Sequence, residues 1–490
     1  MLGNEILYSI KSKRPRVYFT FDDLSAGFDI SVWDTCTSSD VRFAYDIFKQ
    51  GFDRGLWGFT NSNVDKPVAP TVPWNPGALG FGVGVYPGSK AELATMGLTP
   101  LPGYDDPSHE NYGNCQHTNG SIMCCVPAFV YRLGRSTAPS YSYDRANALE
   151  VKSAFEFPQF EHNKAFLDGD ADFGDGWILH RAFVDGGKMK NCFFMDKYLC
   201  SNFGGQAASI KNADWLMCYN RSSSYMTPTI GGDGNGYDAI TFSRARGDYY
   251  SLTTVYQWSA MAMLSLAHGQ AATSTDYCAW YDSSHIANFP KGATTSDCGD
   301  YNDSSIVYSP HAYTNTLAKT GSANQPAKVS HNGQLCGIMD VAGMCNQFCI
   351  GAINTKSAKV GLMKLSVSAH DFTKDNRVDD SLHETFNTGF GYGEKNFSGL
   401  RNGKSGTVNW ASCGVIPTST SANSLFGNDE YYEYPYGSYH GDNGLKMGLG
   451  YDFGETAGVF CRSFDGYDGD HGHWTFSFWY FGFRASGYAP

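Results

Sequence analysis

The chain has 490 residues, of which 42% are hydrophobic, 15% aromatic and 17% charged, and its formal net charge is -12. This acidic balance argues against nucleic-acid binding, because phosphate backbones attract basic surfaces. No apolar run approaches the about 18 residues that a membrane-spanning helix needs, and the first residues lack the pattern of a secretory signal. The 56 glycines and the many aromatic residues favour a loop-rich fold over a helical bundle.

Residues 1–118 are predicted to form a separate, mostly β N-terminal region. Strand-like runs occupy residues 16–21 and 81–86, and residues 38–51 form a helix candidate that follows a capping Ser/Asp pair. Prolines and glycines punctuate the stretches between them, which indicates extended loops.

A second region, residues 119–490, begins where the pattern changes after Gly120. Residues 121–132 are rich in apolar residues and predict a strand. Residues 177–184 and 191–199 predict the two strands of a hairpin, because the turn between them contains Asp-Gly-Gly.

Two helices are predicted next, at residues 237–246 and 253–268. The second has one recurrent apolar face, and Trp258 on this helix is predicted to lie in the core. The residues of that face are Tyr256, Ala260, Met263, Leu264 and Ala267.

The chain beyond the helices alternates between polar and apolar stretches. It is polar and rich in turns from Gly269 to about Pro326, and residues 336–343 predict a return to ordered core. Residues at about 355–445 are rich in Gly, Asn and Ser and are predicted to form a polar insert.

The 14 cysteines have irregular spacing, and Cys124 and Cys125 are adjacent. Several lie inside apolar runs, as Cys125 and Cys349 do. We therefore predict reduced, buried thiols in a protein that is made in a cytoplasm.

Five segments, in order, resemble the motifs of one family. The strand at 123–127 reads Met-Cys-Cys-Val-Pro, and residues 193–202 contain Phe-Met-Asp-Lys-Tyr. They are followed by a helix motif at 251–260, a Gly-Ile-Met-Asp-Val-Ala-Gly motif within 337–348, and a closing Gly-Phe-Arg at 482–484. This order resembles the formylglycine-generating-enzyme (sulfatase-modifying-factor) type of C-type-lectin-like fold. The resemblance implies an α+β, loop-rich domain.

The enzyme of that family uses a copper-binding cysteine pair just before the closing motif. Here residues 448–458 contain no cysteine, and Cys461 stands alone beyond them. In relatives, the segment that matches 337–348 helps to hold calcium, but this chain has Met344 and Gln347 in place of Asn and Glu. We therefore predict no enzymatic activity. We also predict no cofactor, and the alternative is a bound calcium ion.

The most informative segment is the block at residues 463–480, where aromatic residues, Asp, His and Gly replace the aliphatic residues of a core strand. Rigid rings and small polar residues at this density are typical of binding surfaces. In a regular strand Trp474, Phe476 and Phe478 would share one face, and Trp479 and Phe481 the other. The predicted receptor-binding residues are Tyr436, Tyr439, Tyr451, Phe464, Asp465, Tyr467, Asp468, Asp470, His471, His473, Trp474, Phe476 and Trp479.

Alternatives remain at three places. The acidic and histidine residues of 465–473 suit either a divalent-ion site or a solvated turn, and we favour the turn. The tyrosines of 431–439 suit either a contact surface or packing beneath the insert, and we favour the surface. Arg484 suits either a buried or semi-buried structural ion pair or contact with a ligand, and we favour the ion pair.

The block and the scaffold together resemble the variable proteins of diversity-generating retroelements and bacteriophage tail-tip adhesins. The resemblance implies a tail-fibre receptor-binding protein that is made in the host cytoplasm and carried on the virion. Residues 1–118 would bind other tail proteins in a homotrimer, and residues 119–490 would bind a protein or glycan receptor on the bacterial surface. A formylglycine-generating-type oxidase and a bacterial surface lectin remain the alternative interpretations.

Overall fold

The structure is a computed structural model. It describes residues 5–8, 17–20, 74–133, 148–216, 236–283, 288–292, 303–311, 318–355, 359–386, 393–397, 399–400, 414–417, 430–433, 444–448, 458–464 and 481–490. The chain divides into two compact units, Met1–Val68 and Ala69–Pro490.

The first unit contains strands β1 (Glu5–Tyr8) and β2 (Val17–Thr20), which form an antiparallel pair with Glu5 opposite Thr20. Strand β2 confirms the prediction of a strand at 16–21. The helix predicted at 38–51 lies outside the described residues.

The second unit contains three α-helices among its described residues and many short strands. The helices are α1 (Lys90–Thr95), α2 (Gly236–Arg244) and α3 (Val255–Ala271). The strands are β3 (Leu98–Pro100), β4 (Asn114–His117), β5 (Ile122–Pro127), β6 (Phe129–Leu133), β7 (Leu149–Ser153), β8 (Ile178–Leu179), β9 (Val184–Asp185), β10 (Lys188–Met189), β11 (Cys192–Asp196), β12 (Cys200–Phe203), β13 (Gln206–Ser209), β14 (Tyr250–Leu252), β15 (Asn346–Thr355), β16 (Lys359–Met363), β17 (His383–Phe386), β18 (Gly393–Asn396), β19 (Glu430–Glu433), β20 (Gly444–Met447), β21 (Arg462–Ser463), β22 (Phe481–Gly482) and β23 (Ala485–Tyr488). This mixed, loop-rich architecture of small sheets agrees with the predicted α+β class.

A six-stranded sheet has the order β14-β23-β11-β5-β4-β3. Strands β3 and β4 precede residue 119, yet β4 pairs with β5 and β3 pairs with β4 in this sheet. The observed division of the chain therefore lies nearer the N-terminus than the predicted boundary between residues 118 and 119. The reason is that a sheet joins strands by hydrogen bonds, which composition along the chain does not reveal.

The strand predicted at 121–132 is split into β5 and β6, which belong to different sheets. Pro127 ends β5, and the N–H of Ala128 turns to donate to the Asn191 carbonyl at 2.8 Å. Proline has no N–H to continue a ladder, so the chain passes here from the six-stranded sheet to the three-stranded sheet β7-β6-β8.

The predicted hairpin is smaller than expected. Gly186 and Gly187 have φ values of 56° and 72°, as a tight hairpin turn requires, but they join only β9 to β10. Strand β11 instead pairs with β5 and β23. Residues 81–86 form no strand, because Gly82 has a φ of 90°, outside the extended region.

Helices α2 and α3 confirm the two helix predictions. Helix α3 begins after Thr254, whose hydroxyl accepts from the Gln257 N–H while the Gln257 side chain accepts from the Thr254 N–H. The five residues of the predicted apolar face are all buried. Nearly every other residue of α3 is buried too, because the helix packs against β7, β15 and β20. Trp258 is fully buried, which confirms its predicted core position.

An eight-stranded sheet has the order β17-β16-β15-β20-β21-β19-β18. Strand β22 pairs with the first residues of β15, and β16 pairs with the last residues of β15. Strands β16 to β20 come from the predicted polar insert at 355–445. Among the described residues, no helix is long and apolar enough to cross a membrane.

Candidate functional site

Arg484 brings three of the five motifs together in the interior, at 193–202, 337–348 and 482–484. Its guanidinium group donates to the side-chain oxygen of Gln347 at 2.8 Å and to the carbonyls of Asp196, Lys197, Met339 and Asp340 at 2.5–3.2 Å. We call these six residues the Arg484 cluster. The predicted buried structural role is confirmed, but Arg484 bonds to backbone carbonyls and an amide in place of the predicted carboxylate.

The Asp196 carboxylate forms a buried ion pair with Arg246. Its two oxygens lie 2.6 and 2.8 Å from the Nη atoms of Arg246. One of those oxygens also accepts from the Ala485 N–H at 2.9 Å and from the Cys200 thiol at 3.2 Å. Asp196 thus ties the helix α2 region to β23, directly after the closing Gly-Phe-Arg motif.

The residues at the positions that the resemblance assigns to a calcium site do not fit a cation. Gln347 is buried and accepts from Arg484, and Met344 lies in the smaller apolar core. A hard cation prefers charged oxygen ligands and would here stand beside a guanidinium group. Within the described part of the chain, no three His, Cys, Asp or Glu side chains are placed to hold a metal ion.

The described cysteines are buried free thiols, which confirms the prediction for these residues. Burial raises the pKa of Cys349 and of Cys124 above the ordinary range, so both stay protonated at neutral pH. Protonated, inaccessible thiols are poor nucleophiles. Cys461 is also buried and free.

The two ends of the C-terminal block are built into the eight-stranded sheet. Gln347 in β15 lies opposite Met447 on one side and Gly482 on the other, and Met447 lies opposite Arg462. Strands β21 and β22 are therefore separated by β20 and β15, which corresponds to about 14 Å at the usual strand spacing. Phe464 and Phe481, which flank residues 465–480, are both buried in the main core.

The tyrosine-rich stretch lies beside the start of this block. Tyr431 and Tyr432 in β19 pair with Arg462 and Ser463 in β21, and the two strands are parallel. Because parallel strands end at the same edge of a sheet, the chain leaves β19 and β21 at one edge, about 5 Å apart. The sequence analysis assigned both segments to one binding surface, but it did not predict that β19 and β21 pair.

Two further chain segments join the same edge. Strands β18 and β20 are antiparallel to their neighbours β19 and β21, so Gly393 and Gly444 begin there. Residues 434–443, which contain Tyr436 and Tyr439, thus start and finish at this edge. Residues 387–392 precede Gly393 and read Asn-Thr-Gly-Phe-Gly-Tyr. The sequence analysis did not include them in the predicted site, although their glycine and aromatic residues resemble the composition of the C-terminal block.

The structure describes one of the predicted receptor-binding residues, Phe464. Its side chain is fully buried in the main core, so it packs inside the domain and does not face a receptor. The other predicted binding residues, and the candidate metal-binding stretch at 465–473, lie outside the described residues.

No protein-family model matches the chain, and no curated protein matches it. Among solved structures, the Major Tropism Determinant U1 variant is similar over 75% of this chain and 64% of that chain, with 11% identity and a TM-score of 0.26. The M1 variant is similar over 75% and 63%, and the I1 variant over 74% and 72%, each with 10% identity and a TM-score of 0.26. The chain spans less than two thirds of the length of the U1 and M1 variants. Similarity this weak does not define a family.

Proposed function

We propose that this chain is a bacteriophage tail-tip receptor-binding protein. It adheres to the bacterial surface through residues 463–480 and the neighbouring tyrosine-rich stretch at 431–439. The finer fold assignment, the formylglycine-generating-enzyme type of C-type-lectin-like domain, belongs to the same proposal. It rests on the motif order in the sequence.

The observation that carries this proposal is the parallel pairing of β19 with β21. It joins two segments whose paired residues, Tyr431 with Arg462 and Tyr432 with Ser463, are 31 positions apart in the chain to one edge of one sheet. Both segments combine Tyr with Gly and Ser, a composition that gives large contact area with little loss of side-chain entropy. A rigid sheet that presents such segments side by side is the arrangement of a binding surface.

Buried hydrogen bonds hold the scaffold that carries this edge in a rigid arrangement. The Arg484 cluster and the Asp196–Arg246 pair connect β11, β15 and β23 through buried hydrogen bonds. Residues 465–480 are joined to this scaffold at both ends, through β21 with the buried Phe464 and through β22. Their sequence can therefore vary while the buried framework stays the same, and we propose that a retroelement diversifies them.

The mechanism is adhesion without catalysis. A homotrimer on the virion would present several copies, and binding of one copy raises the effective concentration of the others at the cell surface. The N-terminal part of the chain would bind other tail proteins. We propose no enzymatic role, since residues 448–458 contain no cysteine to form the copper-binding pair of the related oxidases.

An adsorption experiment tests the proposal. Tyr467→Ala, Trp474→Ala and Trp479→Ala, introduced together, are expected to abolish phage adsorption to its host while the melting temperature stays unchanged. Tyr277→Ala, which removes a 45% exposed aromatic side chain from another part of the domain, is the matched control and should adsorb normally. Adsorption that survives the triple replacement would show that the receptor binds elsewhere.

Sequencing of the DNA around the gene tests the diversification. An imperfect repeat of the codons for about residues 450–484, differing only at adenines and close to a reverse-transcriptase gene, is the expected result. Tail genes without such a repeat would indicate a receptor-binding protein of fixed sequence.

A further inference from the structure

A polar groove of about 700 Å³ lies on a different part of the domain from the eight-stranded sheet. Its walls come from β3, β4, the turn after β4, the β12–β13 hairpin and the residues that follow α2. The side chains that matter for its chemistry are those of Thr99, Gln116, Asn119, Phe203, Gln206 and Arg246. This volume is in the range of small-molecule binding sites.

One wall of the groove carries an exposed aromatic ring. Phe203 is 53% exposed at the tip of the β12–β13 hairpin, although a large apolar side chain is normally buried. Its ring lies against Gly120, where an added Cβ would come within 2.9 Å of the ring. Glycine at position 120 therefore lets the ring lie flat on the turn, with part of the ring exposed at the groove.

Amides and a hydroxyl face the groove from both walls. Thr99 and Gln116 are directly opposite each other in β3 and β4, so their exposed side chains share one face of the sheet. Gln206 is directly opposite Phe203 in the hairpin, which places an amide next to the ring. These groups donate and accept hydrogen bonds without carrying charge.

The groove is held in shape before any ligand binds. The Asn119 side chain donates to the Ala207 carbonyl at 3.2 Å, and Arg246 donates to the same carbonyl at 3.2 Å. These bonds fix the turn after β4 and the helix α2 region to strand β13. Preformed walls reduce the entropy that a ligand must lose on binding.

The groove is close to neutral. Arg246 is the one permanently charged residue among the described residues that line it, and its charge is paired with Asp196. Burial lowers the pKa of His117, whose ring packs edge-on against Tyr250, so this residue is uncharged at neutral pH. Neither a phosphate nor a carboxylate would find an unpaired cation here.

We propose that this groove binds a neutral saccharide. The apolar face of a sugar ring packs on the Phe203 ring, while its hydroxyl groups bond to the amides of Gln116 and Gln206 and to the Thr99 hydroxyl. A peptide fits less well. An extended peptide would bind as an added strand along the outer edge of β3, whereas the groove lies on the face of the sheet. The described residues that line the groove do not belong to the block at 463–480, and a bound saccharide would give the chain a second point of contact with a glycan-coated cell.

The test uses the full chain and an array of neutral oligosaccharides of glucose, galactose, mannose and N-acetylglucosamine. The tightest binder is then titrated by calorimetry against the wild type and against Phe203→Ala and Gln206→Ala. We expect Phe203→Ala to weaken binding about tenfold or more and Gln206→Ala to weaken it several-fold. Both side chains are exposed, so the variants should melt as the wild type does.

Matched controls make the result interpretable. Tyr277→Ala, which removes an exposed ring that does not line the groove, should bind the saccharide as the wild type does. The triple replacement at Tyr467, Trp474 and Trp479 should also leave saccharide binding unchanged, so this inference and the adsorption proposal fail separately. The inference is overturned if no neutral oligosaccharide binds, if only charged glycans bind, or if Phe203→Ala binds as well as the wild type.

Discussion

Replacement of Asp196 by Asn tests whether the buried ion pair holds the scaffold together. The Asp196 and Arg246 side chains are 0% and 2% exposed, so neither charge is solvated. Asn keeps the size of Asp but supplies one acceptor oxygen and an NH₂ group. It therefore cannot accept from both Nη atoms of Arg246 and from the Ala485 N–H. Breaking a buried pair in this way leaves an uncompensated guanidinium charge and costs about 3–5 kcal/mol of the free energy of unfolding.

Urea unfolding followed by tryptophan fluorescence measures this cost. The matched control is Asp175→Asn, because Asp175 pairs with Arg132 at 2.7 Å but has a 72% exposed side chain. Exposed ion pairs contribute about 0–1 kcal/mol to stability, so the control should change the free energy of unfolding very little. The double variant Asp196→Asn with Arg246→Met removes both charges and should recover part of the lost stability. An Asp196→Asn variant as stable as Asp175→Asn would refute the reasoning.

Two more predictions concern Asp340 and Phe464. Burial raises the pKa of Asp340 from 3.8 to about 6, although the Arg484 charge and the Gly321 N–H oppose this shift. Because the folded state then holds the proton more tightly than the unfolded state, the stabilisation is complete below about pH 4 and is lost by about pH 6, a change of about 3 kcal/mol. Asn also tolerates the φ of 56° at this position. In urea titrations, Asp340→Asn should therefore become more stable relative to the wild type as the pH rises over that range. A difference in the free energy of unfolding that stays constant with pH would contradict the pKa shift. Phe464→Ala should lower the free energy of unfolding by about 3–5 kcal/mol, since it empties a core position, whereas Tyr467→Ala should leave it unchanged. If Phe464→Ala abolished adsorption without lowering the melting temperature, the buried placement of this ring would be wrong.

The strongest local patterns in the sequence were reliable because they depend on near neighbours in the chain. Helix α3 begins after Thr254 because a Thr at the N-cap and a Gln three residues later satisfy each other's backbone N–H groups. The turn at Gly186–Gly187 was likewise predictable, since few residues other than glycine adopt two successive positive φ values. The strands that pair with those around that turn could not be predicted, because strand pairing depends on segments that are distant in the chain.

The buried role of Arg484 followed from its closing motif, but the nature of its partners did not. A sequence shows that an arginine needs acceptors, yet backbone carbonyls carry no residue-specific signal, and four of them surround this guanidinium group. For Phe464 the sequence-based prediction was wrong. Its neighbours in the chain are polar and aromatic, so composition assigned it to the binding surface, while the strand β21 that precedes it leads its side chain into the core.

The sequence by itself determined the loop-rich α+β class, helices α2 and α3, the reduced thiols among the described cysteines and the unusual composition of residues 463–480. Each of these depends on residue type or on contacts within a few positions. Only the tertiary structure decided that the tyrosine-rich stretch and the C-terminal block share one sheet edge, and that Phe203 faces a polar groove with Gln116 across from it. Strand order and register bring these residues together, and both arise from hydrogen bonds between segments that are far apart in the chain.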